Sequence, residues 1–309
     1  MSVQAPGRLT KEQWHNVIAL VVIHVITVLT VMYEVTWKLV LIAAGTYFLR
    51  MFAITGVYHR YFSHRSYKTS RIFQWVLAFL GTMATQKGPL WWAAAHRLHH
   101  KHSDTERDLH SPARRGFWYS HMGWWLGREH ERTRFDMIPD FAGYPELRWL
   151  DKHHLIGPWT LGIGCWLLFG VQGGLWGYFV STCVLLHATF TINSLAHVWG
   201  SRRYATKDTS RNNFWLALLT MGEGWHNNHH HYMSSTNQGF FWWEIDITYY
   251  ILKAMEKLGL VWDLRRPPER ILRKDLIADV GERCPLLTNK PVRTNDDDAT
   301  DATPVVDPA

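Results

Sequence analysis

The chain has 309 residues, 47% of them hydrophobic and 14% aromatic, including 18 Trp, a residue favoured at membrane interfaces. Its formal charge of +7 comes without a basic run or a nucleic-acid-binding motif, so anionic lipid headgroups or an acidic partner are expected rather than nucleic acid. Three cysteines, Cys165, Cys183 and Cys284, sit far apart with no CxxC, which argues against a disulfide framework and a zinc ribbon.

The N-terminal MSVQAPGRLTKEQWHN lacks the charged start and cleavage site of a signal peptide, so the first apolar stretch is expected to stay in the mature protein. That stretch, about 17–33, is interrupted only by His24 and two threonines, Thr27 and Thr30. A short Tyr33-Glu34-Val35-Thr36 break leads into a second stretch at about 37–58. Each approaches the roughly 20 residues that cross a bilayer, and the tight link makes them a hairpin. Ile72, Trp75, Val76, Phe79, Leu80 and Met83 follow the amphipathic helical pattern, so this segment is expected to lie along the membrane surface. A crossing here would separate His59 and His64 from the next histidines.

From His96 to His154 the chain is polar and rich in arginine: Arg107, Arg114, Arg115, Arg128, Arg132 and Arg134. Two further apolar stretches follow, about 158–172 and 175–198, joined at Gln172-Gly173-Gly174. After Tyr204 the chain is polar again, with an amphipathic helix expected near Glu244 to Leu258 and a break at Pro267-Pro268. The expected fold is an all-α integral membrane protein, residues 1–285, with four transmembrane helices in two hairpins. A helical cap (59–157 and 199–285) would hold the histidines, on the cytoplasmic side because Lys and Arg concentrate there. Residues 286–309, ending NDDDATDATPVVDPA, are expected to form a disordered acidic tail.

Three histidine clusters dominate the polar segments: His59-Arg-Tyr-Phe-Ser-His64, His96-Arg-Leu-His99-His100 and His226-Asn-Asn-His229-His230. On a helix, offsets of three and four place each triplet on one face, so each is expected to aim three nitrogens at one point. Imidazole suits Zn, Cu, Fe or Ni, and eight ligands are too many for one tetrahedral ion, which suggests two ions with open positions. There is no HExxH, and neither triplet shows the Glu-x-x-His pairing of carboxylate-bridged di-iron bundles. Asn193-Ser-Leu-Ala-His197 adds a ninth histidine, with Asn193 and His197 expected on one helix face. His24 and His187 are read as lone residues in spans. His102, His110, His121, His130, His153, His154 and His231 are read as solvated or supporting. Arg50, in the second span, is read equally as a packed hydrogen-bonding residue or as a tunnel-end residue.

HRYFSH, HRLHHKHSDTERDLHSP, NSLAHVWG and EGWHNNHHHY, in this order between two hydrophobic hairpins, resemble the membrane-bound fatty acyl desaturases of the stearoyl-CoA delta-9 type. The resemblance covers about Val40 to Asp263. It implies two iron ions held by His59, His64, His96, His99, His100, His197, His226, His229 and His230, with Asn193 reaching one iron through water. It also implies a bent acyl tunnel whose kink is lined by Gln86, Trp92 and Thr189. The activity implied is O2-dependent insertion of a cis double bond at delta-9 of a saturated acyl chain. Removing hydrogens from methylene carbons is beyond acid–base side chains and needs an oxidant made from O2.

Acyl-CoA is the first expected carrier; an acyl-lipid stays open because Ala94-Ala95 replaces the Arg-Asp pair of the animal acyl-CoA enzymes. No His-Pro-Gly-Gly haem box is present, so electrons would come from a separate donor such as cytochrome b5 or ferredoxin with its reductase. The implied location is the bacterial inner membrane or the endoplasmic reticulum. Tyr47 and Met51, one turn apart before His59, are read as helix packing or as the tunnel's closed end. The alternatives are a membrane di-iron hydroxylase of alkyl or sterol substrates and a metal-carrying membrane protein without redox chemistry.

Overall fold

The computed structural model describes residues 10–127 and 132–277; the expected acidic tail, Cys284, Arg128 and His130 lie outside the described residues. Helix α1 (Lys11–Tyr33) starts at Thr10, whose hydroxyl accepts the Gln13 N–H while the Gln13 side chain accepts the Thr10 N–H. It is apolar on all sides, with Val21, Val25, Val28 and Leu29 facing outward, as in a helix surrounded by hydrocarbon. Glu34 turns the chain extended, and the Thr36 hydroxyl caps α2 (Trp37–Phe52).

The second apolar stretch does not end at residue 58 as expected. It runs on into a π-helical segment, Ala53–Ser63, so that Trp37–Ser63 forms 27 continuous helical residues. Among the described residues, three helical stretches are long and apolar enough to cross a membrane: Gln13–Tyr33, Trp37–Ser63 and Ile156–Val198. The third has 43 residues, about 65 Å if straight, roughly twice a bilayer core. It folds back at Gly170, whose φ of 73° is open to glycine, and not at the expected Gln172-Gly173-Gly174. The part of α5 (Ile156–Gly174) before Gly170 packs beside the arm that follows it, where a π-helical stretch (Leu175–Val180) leads into α6 (Ser181–Asn193). A Cβ on Gly177 would stand 2.8 Å from Cys165 Sγ.

Helix α3 (Arg71–Thr82) has 12 residues, about 18 Å, too short to cross. Ile72 (82% exposed), Trp75 and Val76 face outward, while Gln74, Leu77, Ala78 and Gly81 face the core, an apolar outer stripe suited to a membrane surface. Gly81 leaves room for the buried Tyr58 ring; a Cβ there would lie 2.0 Å from it. Of the two readings of Arg50, the structure has the packed hydrogen bond: the fully buried side chain donates to Thr46 O, Thr182 Oγ1 and Ser181 Oγ, tying α2 to α6.

Helix α4 (Pro89–His102) carries the second histidine cluster. Asp151, on the helix Pro145–Lys152, fixes its start by accepting the Leu90 and Trp91 N–H groups at 2.9 and 2.8 Å. Arg97 clamps the helix to the end of the π segment by donating to Ser63 O, Phe62 O and Asp140. The strands β1 (Lys68–Thr69) and β2 (Val261–Trp262) pair antiparallel, joining the chain after His64 to the C-terminal part. The expected amphipathic helix runs over Ile247–Lys257 and is capped by Asp246.

Candidate metal centre

All nine predicted histidines converge, in two adjoining groups. His59, His64, His96, His100 and His229 form one; His99, His197, His226 and His230 form the other, and within each group the ligand atoms lie within 4.8 Å of one another. The expectation that each triplet aims at one point is corrected. His96 and His100, four apart on α4, share a face and serve the first group, whereas His99 is turned about 100° from its neighbour and serves the second. The helix His226–His231 repeats this in reverse, His226 and His230 on the second group and His229 on the first. Each HxxHH box therefore bridges both groups.

The HxxxxH spacing also has a cause. Five residues on an α-helix rotate a side chain by about 140° from its partner, which would part His59 from His64. In the π-helical segment the His64 N–H bonds to His59 O, five residues back, and the two rings come within 4.8 Å of each other.

His197 arrives differently from the expected i, i+4 pair. Helix α6 ends at Asn193, the helix is interrupted at Ser194, and a short turn (Leu195–Val198) carries His197 into the second group, its Nε2 3.2 Å from His226 Nε2. Asn193 stays at the wall of the cavities described below.

The donor set fits metal ions. In the first group Nε2 atoms meet at 2.9 Å (His64–His96), 2.9 Å (His96–His100), 2.9 Å (His100–His229) and 3.0 Å (His59–His229). Nitrogens about 2.1 Å from one centre at right angles stand about 3 Å apart. The Nε2 of a neutral imidazole either donates or accepts, and His96, His100 and His229 each make two of these contacts, so the four cannot all be ordinary two-centre hydrogen bonds. Lone pairs converge where a cation would sit. In the second group His99 and His230 use Nδ1 on Asp108 (2.9 Å) and Asp208 (2.6 Å), leaving their buried Nε2 atoms without a partner. His197 Nδ1 lies 3.1 Å from Thr209 Oγ1, which in turn donates to Asp104. A carboxylate behind a ligating imidazole fixes its tautomer and raises its basicity.

Burial, and then the charge of neighbouring histidines, pushes His64, His96, His100, His226 and His229 well below the ordinary imidazole value, so they are neutral donors at neutral pH. Burial alone would raise Asp108 and Asp208, but His99 and His230 hold both well below the usual carboxylate range. These carboxylates were missed in the sequence, although Asp104, Asp108 and Glu223 stand inside the quoted motifs. Glu223-Gly-Trp-His226 also supplies a Glu-x-x-His spacing outside the HxxHH core. Its carboxylate faces His59 and Arg60, with Arg60 further held by Asp246 at 2.9 Å.

Beside the histidines lie two adjoining cavities, sharing Trp92, His96, Thr189 and Asn193. The first extends past Ile54 and Thr55 to Met51; the second past Ala95 and Leu109 to Trp124. Gln86, Trp92 and Thr189, predicted at a bend, do meet: Gln86 donates to Thr189 Oγ1 at 2.9 Å and accepts Trp92 Nε1–H at 3.2 Å. Tyr47 donates instead to Leu219 O.

Residues 35–265 match the family model described as fatty acid desaturase. The chain is similar to the delta-9 acyl-lipid desaturase 2 of Arabidopsis thaliana, 37% identical over 246 residues (79% of this chain, 80% of the relative). It is 36% identical to the acyl-CoA C20 Delta5-desaturase of Anemone leveillei over 243 residues (77% and 78%). A third relative, the chloroplastic palmitoyl-monogalactosyldiacylglycerol delta-7 desaturase of Arabidopsis thaliana, is 34% identical over 241 residues, 77% of this chain and 65% of its own length. Together with helices able to cross a membrane and histidine groups able to hold metal, these matches make the chain a membrane protein of the fatty acid desaturase family.

Proposed function

We propose that the protein inserts a cis double bond into a saturated fatty acyl chain at delta-9, using O2 and two iron ions. The observation that carries this is the division of nine histidines into two adjoining groups beside two cavities that share a wall. His59, His64, His96, His100 and His229 would hold one iron and His99, His197, His226 and His230 the other, with Asn193 reaching an iron through water. When bound, the irons supply an O2-derived oxidant strong enough for unactivated C–H bonds. The balance is one –CH2–CH2– unit, one O2, two electrons and two protons giving –CH=CH– and two waters.

The chain's own residues orient and exclude. Asp108, Asp208 and Glu223 accept the Nδ1–H of His99, His230 and His59, so that each Nε2 is presented as a lone pair. The Gln86–Thr189–Trp92 staple fixes the wall where the cavities join, so an acyl chain lying through both bends there, beside His96. Hydrogens along an alkyl chain are chemically alike, so position is set by how far the chain reaches past that bend. Met51, at the far wall, would limit its length.

Four crossings in two hairpins, with the cap and all nine histidines on the cytoplasmic side, account for the fold-back at Gly170 and the Lys and Arg content of the cap. A separate electron-donor protein would serve the site. Ala94 is 1% exposed and Ala95 half-buried, so this stretch offers no charged pair to a CoA headgroup, and the relatives' names include both acyl-lipid and acyl-CoA desaturases. Acyl-CoA and acyl-lipid are both carried forward.

Expression in a desaturase-deficient host, with mass spectrometry of double-bond position, is the test. A new cis-Δ9 monoene is expected. An alcohol would favour the hydroxylase, and an unchanged lipid profile with iron-loaded protein present would overturn the proposal.

A further inference from the structure

His24 and His187, lone residues in the sequence, meet inside the helical bundle away from the nine histidines. His24 is on α1; Cys183 and His187, four apart, share one face of α6. His24 Nε2 and His187 Nε2 are 2.8 Å apart, and with Cys183 Sγ they form a third group whose ligand atoms lie within 4.8 Å of one another. All three residues are half-buried.

Both imidazoles are held from behind. His24 Nδ1 is 2.6 Å from Leu20 O, which can only accept, so His24 carries its proton on Nδ1 and offers a lone pair at Nε2. His187 Nδ1 is 3.0 Å from His121 Nε2, and His121 Nδ1 is 3.0 Å from Ser194 Oγ. The arrangement matches the cap: Nδ1 engaged outward, Nε2 atoms converging at the spacing seen between His64, His96 and His100. Either a proton on His187 Nε2 or a cation fills the gap, and the Cys183 thiol, which also meets the Thr27 hydroxyl, stands at its edge.

We propose that His24 Nε2, His187 Nε2 and Cys183 Sγ form a separate binding site for a soft monovalent metal ion, copper(I). Thiolate and imidazole together select copper or zinc over hard cations. The surroundings decide between these two, because the site lies within apolar helices where a net charge is costly. Copper(I) with two neutral imidazoles and one thiolate is uncharged and tolerates three ligands; zinc(II) would leave +1 and a missing fourth ligand. On binding, the three atoms each donate a lone pair and the Cys183 thiol releases its proton to water. Neutral site plus Cu⁺ gives neutral complex plus H⁺, with no change of oxidation state. The site does not depend on which reaction the cap performs.

The test is copper X-ray absorption and chelator competition on the full-length, iron-loaded protein in detergent, given one equivalent of copper(I). A sulfur neighbour to copper is expected in the unmodified chain, retained in Cys165→Ser and Cys284→Ser and lost in the near-isosteric Cys183→Ser. His24→Gln should weaken copper binding at least about tenfold with iron content unchanged. The nine cap histidines include no thiol, so copper lodged there would show nitrogen neighbours alone. That result, or a sulfur signal that survives Cys183→Ser, overturns the proposal.

Discussion

Asp108 joins three groups, so its replacement by asparagine discriminates between the two histidine groups. Oδ1 accepts His99 Nδ1–H at 2.9 Å and the His110 N–H at 3.3 Å; Oδ2 accepts the Asp104 N–H at 2.7 Å. In Asp108→Asn one of these oxygens becomes an NH2. If it faces Asp104, two donors oppose each other. If it faces His99, the proton is forced to the other ring nitrogen and the lone pair at Nε2 is lost. Either arrangement leaves a buried donor unmet, about 1–3 kcal/mol of fold stability, and removes the carboxylate that keeps His99 basic, about 10–100-fold in the affinity of the ion that His99 serves. His59, His64, His96, His100 and His229 are untouched. Chelator competition on purified protein should therefore show one iron weakened by that factor and the other held as before. Equal weakening of both irons, or none, would refute the assignment of His99 to its own group.

Below pH 6.5 the unfolded chain protonates histidines that the fold keeps neutral, His64, His96, His100, His226 and His229 among them. The unfolded state then binds more protons, so stability is full above about pH 7 and falls with acid by up to about 1.4 kcal/mol per pH unit for each. The Tm of metal-stripped protein should drop steeply between pH 6.5 and 5.5, and a flat profile contradicts the burial of neutral imidazoles. Gln86→Leu removes the staple at the bend and leaves Trp92 Nε1–H without its acceptor; iron content should persist while products spread over neighbouring double-bond positions. A single unshifted isomer would show that the bend is set elsewhere. Met51→Ala opens the far wall of the first cavity, so the preferred acyl chain should lengthen in competition assays with mixed chain lengths; an unchanged preference removes Met51 from that role.

The membrane helices and the histidines were legible because each leaves a local pattern: long apolar runs in one case, imidazoles at helical offsets in the other. What the sequence hid depends on backbone geometry. A spacing of five brings His59 and His64 together only because the helix is π-helical there, in a segment that lies against α3 and α4, and no local pattern of residues marks it. The split of His99 from His100 follows from helix rotation and was available in principle, but only with two metal positions in mind. The turn at Gly170 looked no different in sequence from Gly173 and Gly174. The pairing of His24 with His187, 163 residues apart, and the carboxylates behind His99 and His230 required the tertiary fold.

The most direct measurement of the central claim is anomalous X-ray scattering at the iron edge from crystals of the iron-loaded protein. Two peaks are predicted, one within reach of His59, His64, His96, His100 and His229 and the other of His99, His197, His226 and His230. A single peak, or iron lodged outside both groups, would contradict it.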